Sequence, residues 1–308
     1  MSAFRVVSVA AAALFVAVAP LSAALAEDEA VVLEHSSFWR LDADENRCRL
    51  ARQFGEGENK TLFYMEQWHP SLKVDWLVAG AVFDGYSEDK PTTFAFDDGG
   101  DRGEFEFLGQ TVEGFGKAVA YKSVVIENPE QSTGRPDEEA IASYLKPRTD
   151  LYLDSKKAAG IERLTLSQGG QRDIVLKLTD LEKPLAAMNL CMDSLIRSWG
   201  FDVDEQRTVT QGPKPTNMAA VARRIQLEYP MKAARAGAQA TFQMRLTIEA
   251  DGSISDCLLV NTTLADDFDM RKHPCTVFLK QAKFEPARTA SGEPVRTYYM
   301  QRIAYRMP

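Results

Sequence analysis

The chain has 308 residues, 45% of them apolar and 26% charged, with a net charge of −8. That balance belongs to a globular protein rather than a disordered one, and the length suits two ordinary domains. The acidic excess argues against a nucleic-acid partner, and no internal apolar run is long enough to span a membrane.

The first residues differ from the rest. Arg5 precedes an apolar run from Val6 to Val18 that only Ser8 interrupts. Pro20 breaks the run, and Ala24-Leu25-Ala26 follows. A basic start, an apolar stretch and an A-x-A site predict a signal peptide over residues 1–26, cleaved before Glu27. Without cleavage, the same stretch would anchor the protein in the inner membrane, facing the periplasm.

Export decides how the cysteines are read. Cys48, Cys191, Cys257 and Cys275 are an even set, and an oxidising compartment favours disulfides. Four cysteines allow three pairings. Proximity in sequence and the domain division below favour Cys257–Cys275 and Cys48–Cys191. The shorter loop would contribute about 3 kcal/mol in the chain-entropy model.

Residues 27–210 read as a mainly-β domain. Thr61–Trp68, Lys73–Phe83, Thr92–Phe96, Glu104–Leu108 and Ala118–Ile126 are rich in aromatic and branched residues, and turn clusters separate them. A short helix is predicted over Asp137–Leu145 and a strand over Asp173–Leu178. After Pro184 comes a closing helix. Leu181, Leu185, Met188, Met192, Leu195 and Trp199 recur at intervals of four and three, forming one stripe, and Gly200 ends it. Cys191 lies beside the stripe, within reach of a strand cysteine such as Cys48.

Several fragments of catalytic or metal motifs carry little here. Asp42-x-Asp44-x-Asn46 opens like a calcium loop, but Arg47 replaces the turn glycine and Gln53 the bidentate glutamate. Ser87-x-x-Lys90 has no companion motif. His35, His69 and His273 lack metal-ligand spacing. No cofactor, metal site or catalytic residue is expected. An envelope enzyme with its site in residues 27–210 is the alternative that these patterns leave open.

Gln211-Gly212-Pro213-Lys214-Pro215-Thr216 marks the boundary, since two prolines and a glycine extend neither a helix nor a central strand. Residues 211–217 are read as a linker and 218–308 as a second domain. The second domain holds 13 Lys and Arg against 9 Asp and Glu, a net +4, which leaves −12 elsewhere.

Its pattern is the clearest in the chain. Ala240, Phe242, Met244, Leu246 and Ile248 alternate with Thr241, Gln243, Arg245, Thr247 and Glu249, which predicts a strand with one buried face. Asp251-Gly252 signals a hairpin, and Ile254–Asn261 returns as the second strand. Tyr229-Pro230 opens a short helix before the hairpin, which Gly237 ends. A helix over Pro274–Ala282 and a strand over Val295–Tyr305 complete the order helix, strand, strand, helix, strand. The fold class is α+β: a mainly-β domain with a closing helix, then a small α-β-β-α-β domain.

The second domain resembles the TonB C-terminal domain family over about residues 217–308. The matching pieces are Tyr229-Pro230 with Ala233 and Gly237, the Asp251-Gly252 hairpin, Phe284-x-Pro286-Ala287, and Gly292-x-Pro294-Val295 before the last strand. The resemblance implies a periplasmic binding module whose last strand receives the TonB-box strand of an outer-membrane transporter, or another envelope protein. Carried over, the edge that pairs with the partner is Val295, Thr297, Tyr298, Tyr299, Gln301, Ile303 and Tyr305. Full TonB transducers also carry a long Pro-rich spacer, whereas Gly212–Pro215 reaches only about 12 Å. The expectation is therefore a periplasmic adaptor. A membrane-anchored energy transducer is the alternative if residues 1–26 stay attached.

Overall fold

The structure, a computed structural model, describes residues 29–87, 89–96, 102–125, 151–235, 240–264 and 273–305. The signal segment, the helix read over 137–145 and Gly237 lie outside the described residues. Both strands and helices are present in quantity, and the class is α+β.

The N-terminal part is one ten-stranded sheet. Its strands are β1 (Val31–Leu33), β2 (Arg40–Ala43), β3 (Cys48–Phe54), β4 (Thr61–Gln67), β5 (Lys73–Gly80), β6 (Thr92–Phe96), β7 (Arg102–Val112), β8 (Gly116–Val125), β9 (Arg163–Gln168) and β10 (Ile174–Lys177). They lie in the order β1-β10-β9-β6-β7-β8-β5-β4-β3-β2. Every pairing is antiparallel except β1 with β10.

The chain leaving β1 ties the sheet back on itself. The Gly55 N–H donates to Glu34 O and the Ser36 N–H to Gln53 O, both at 2.8 Å. One short segment thus pairs with β10 through its first residues and with the end of β3 through its last. The sheet rolls because its first strand serves both ends. Inward positions recur every second residue, as a pleated strand requires. Leu50, Phe54, Phe63, Met65 and Trp76 are all buried on that inner side.

A helix fills the roll. After the short α1 (Ser155–Ala158), α2 runs from Glu182 to Ser198. Pro184 sits in its first turn, where no intrahelical N–H bond is lost. Leu181, Leu185, Met188, Met192 and Leu195 are buried in the same core as the strand residues. The apolar stripe covers the inner face of the sheet, and the Cys48–Cys191 disulfide, Cα–Cα 6.2 Å, fixes helix to β3.

The next residues do not float between two bodies. Asp202 caps α3 (Val203–Arg207) by accepting from the Glu205 N–H at 2.8 Å. Strand β11 (Val209–Gln211) and strand β12 (Lys214–Pro215) follow. They pair with β16 (Ala287–Thr289) and β15 (Phe284–Glu285), strands from the far end of the chain. Asn217 adds bonds to Gln281 O and the Lys283 N–H. The prolines are compatible with this because each ladder is only two or three residues long and open on an edge.

The C-terminal part has α4 (Met218–Leu227), α5 (Met231–Arg235), β13 (Ala240–Ile248), β14 (Ile254–Leu264), α6 (Cys275–Gln281), β17 (Pro294–Val295) and β18 (Thr297–Tyr305). Its main sheet has the order β14-β13-β18. One face carries Phe242, Met244, Leu246 and Ile248, buried against Val221, Ile225 and Phe278 from the helices. The Cys257–Cys275 disulfide, Cα–Cα 5.6 Å, ties β14 to α6. Four described cysteines therefore form two bridges, and none is free.

Gly252 closes the β13–β14 hairpin with φ +85. A Cβ there would stand 2.2 Å from Phe284 O, so both the backbone angle and the neighbouring chain demand glycine. Gly252→Ala should destabilise the C-terminal domain by about 1–3 kcal/mol. Faster amide exchange in β13 and β14 would report it, and unchanged exchange would refute it.

Candidate partner-binding edge

The last strand is built from the hairpin outward. β13 occupies the centre of its sheet, and β18 lies along it from Thr297 opposite Ile248 to Tyr305 opposite Ala240. Among the described residues β18 pairs with no other strand, so its second side is a sheet edge. Such an edge presents unpaired backbone donors and acceptors to an incoming strand.

The structure brings Thr297, Tyr298, Tyr299, Gln301, Ile303 and Tyr305 into that one strand. Val295 lies instead in β17, paired with Ala287 and buried with Val209 in a small separate cluster. The short ladder of β16 and β17 reverses the chain at Gly292 before β18 begins. A continuous strand from Val295 is interrupted at Arg296 for that reason.

The two faces of β18 meet different surroundings. Tyr299 and Ile303 face the helices, and the Tyr299 ring meets Phe284 edge-on at 5.0 Å. Tyr298 and Met300 face the N-terminal domain. The Tyr298 ring sits edge-on to both Trp199, at 5.3 Å, and Phe201, at 5.8 Å. These aromatics flank Gly200, which ends α2 with φ +79. Trp199, the last member of the helical stripe, therefore spans both domains rather than completing one core.

Polar contacts lock the same junction. Gln206, itself buried, donates from Nε2 to Arg296 O at 2.9 Å and accepts from Thr297 Oγ1 at 2.6 Å. Arg296 lies over the Phe201 ring at 4.6 Å and donates to Gly200 O. On β13, Arg245 lies over Trp199 at 4.4 Å and donates to Asn46 Oδ1 at 3.3 Å. Burial lowers the Arg245 pKa from its ordinary value, and the Asp256 charge opposes that shift. Behind the junction, Asp193 on α2 accepts from Tyr152 OH at 2.6 Å and from Arg207 at 2.7 Å. Burial first, then that carboxylate, raises the Tyr152 pKa, so the phenol remains a proton donor at neutral pH.

Gln206, Trp199, Phe201, Arg245 and Arg296 were not legible as a group in the sequence. The available signal was an aromatic on each side of a helix-ending glycine, with no remaining core face for both.

Beyond the junction, the outer faces of the two sheets diverge into a cleft of about 620 Å³. Thr241, Gln243, Asn261 and Arg302 line one side, and Arg49, Tyr64, Glu66 and Trp68 the other. Arg49 lies over Tyr64 at 4.0 Å and pairs with Glu66 at 2.7 Å, so this guanidinium is already neutralised. The chain turns between β2 and β3 over Asp44–Arg47, with Arg47 paired to Asp42, Asp44 and Glu66. No group of acidic, histidine or cysteine side chains suited to a metal occurs among the described residues.

Comparison with known proteins agrees with this architecture in one region. Residues 225–307 match the family described as the Gram-negative bacterial TonB protein C-terminal. No curated protein matches the chain. The helix-backed sheet that ends in the β18 edge is thus a TonB C-terminal domain, and residues 225–307 belong to that family.

Proposed function

We propose that the protein is a periplasmic TonB-like adaptor. In this reading β18 adds to its sheet an extended strand of an envelope partner, such as the TonB box of an outer-membrane transporter. The observation that carries it is the open edge of β18 in a domain of the TonB C-terminal family. Strand addition draws affinity from main-chain hydrogen bonds and selectivity from alternate side chains. Two disulfides suit the oxidising compartment where such partners are found.

Not all of the edge is equally open. Gln206 already occupies Arg296 O and Thr297 Oγ1, and Tyr298 is held between Trp199 and Phe201. The part of β18 beyond these contacts runs from Tyr299 to Tyr305. A substitution at Tyr299 would disturb its packing on Phe284 as well as the ladder, so the cleaner test alters the partner.

The experiment is titration of the full chain with a TonB-box peptide carrying backbone N-methyl groups on alternate residues. Methylating one alternate set should reduce affinity about tenfold or more by removing ladder donors, while the other set has little effect. Equal binding by both methylated peptides and the parent would exclude strand pairing.

A further inference from the structure

The inference rests on the strand-addition reading and adds what recognises the partner's side chains. Residues directly opposite one another in neighbouring strands project from the same face of a sheet. Arg302 is opposite Gln243 in the β18–β13 pair, and both line the cleft. A strand added beyond β18 would therefore place the residue opposite Arg302 on that same face, looking toward the N-terminal domain. Its neighbours two positions away would do likewise, opposite Met300 and Ala304. The other alternate set would lie on the helix side.

This face is unusual in having a second wall. An isolated three-stranded sheet offers solvent there, whereas here Trp68 and Tyr64 of the N-terminal domain stand across the gap. The volume, about 620 Å³, falls within the range of specific ligand pockets, roughly 300–1,000 Å³. The cleft has room for side chains that strand pairing delivers to it.

Charge selects among them. Arg47 and Arg49 are paired with carboxylates of their own domain. Arg302 is exposed, and its guanidinium makes no hydrogen bond or ion pair with any described residue. Nearby Thr241, Gln243 and Asn261 likewise have side chains without a described partner. A guanidinium with adjacent amide and hydroxyl groups suits a carboxylate, which accepts from all of them.

We infer that the inter-domain cleft is the specificity surface of the protein. It takes an acidic side chain of the paired segment on Arg302, with Trp68 and Tyr64 covering the neighbouring side chains. The N-terminal domain then acts as the second jaw of the binding site. It selects the partner, while the β18 edge supplies the pairing.

The test uses the full chain and TonB-box peptides in which each residue in turn is Glu, Gln or Lys. At one position Glu should bind about tenfold tighter than Lys, and the difference should shrink with added salt. Arg302→Glu, an exposed change compatible with folding, should reverse the order at that position. Trp68→Ala should weaken all peptides while leaving the charge preference. Peptides that bind with no positional charge preference, or a preference that Arg302→Glu leaves intact, would overturn this inference alone. Failure of every peptide to bind would overturn the strand-addition reading with it.

Discussion

Replacing Cys48 and Cys191 together by alanine should lower the stability of the N-terminal domain by about 3–5 kcal/mol. The bridge spans 143 residues of sequence, and the entropy that a cross-link removes from the unfolded chain grows with loop length. The Cys257–Cys275 bridge spans only 18, for which the same relation gives about 3 kcal/mol. The longer bridge fixes α2 to the start of β3, the strand whose far end residues 34–36 close against residues 53–55. Cys48 is fully buried, so loss of the sulfur also leaves a small void in a packed interior. All four tryptophans precede residue 200, which makes their fluorescence a reporter of this half. A urea midpoint unchanged between the oxidised parent and the double variant would show that the bridge contributes nothing.

The legibility of the fold followed the strength of its local signals. The ten alternating residues of β13 and the Asp251-Gly252 turn were readable because burial on one face imposes a strict period of two. Helix α2 was readable because one helix covers a whole sheet and so needs a complete apolar stripe. β3 was not, since Cys48-Arg49-Leu50-Ala51-Arg52-Gln53-Phe54 carries two charges, one of them inward. The inward one, Arg52, is satisfied by the carbonyls of Ser37 and Thr179, at 2.9 and 2.7 Å, and no local pattern announces partners so distant. α4 was missed because only Val221 and Ile225 are buried in it, too few for a stripe.

The candidate site divides in the same way. The edge strand from Thr297 onward was readable through the family resemblance and its own apolar content. Its placement against Trp199, Phe201 and Gln206 was not. Those contacts join residues about ninety positions apart, and each side chain has an ordinary local role in its own segment. Residues 211–217 show the converse. Their prolines and glycine suggest a tether, yet the strands they join are so short that no central ladder donor is required.

Tyr298→Ala should release the two domains from one another. The side chain is 3% exposed, and its ring meets Trp199 and Phe201 edge-on. Removing a buried aromatic of this kind costs about 3–5 kcal/mol, and the loss would fall on the junction rather than on either core. Tyr298 belongs to a cluster with Ile196, Phe201 and Val203, all from the N-terminal side, and not to the helix-backed core of its own sheet. Tyr298→Phe retains both ring contacts and should remain docked. The readouts are a shift in Trp199 fluorescence and a larger radius of gyration in solution scattering for the alanine variant only. The functional consequence separates the two layers of recognition. With the domains apart, β18 keeps its backbone edge, so peptides should still pair with it. The second wall of the cleft is gone, so Trp68→Ala should no longer change affinity in the Tyr298→Ala background. Arg302 then acts from an open surface, where solvent screens a carboxylate far more effectively. A Tyr298→Ala protein with unchanged fluorescence and dimensions would show that the remaining contacts, those of Gln206, Arg245 and Arg296 and the β11–β16 ladder among them, hold the domains together.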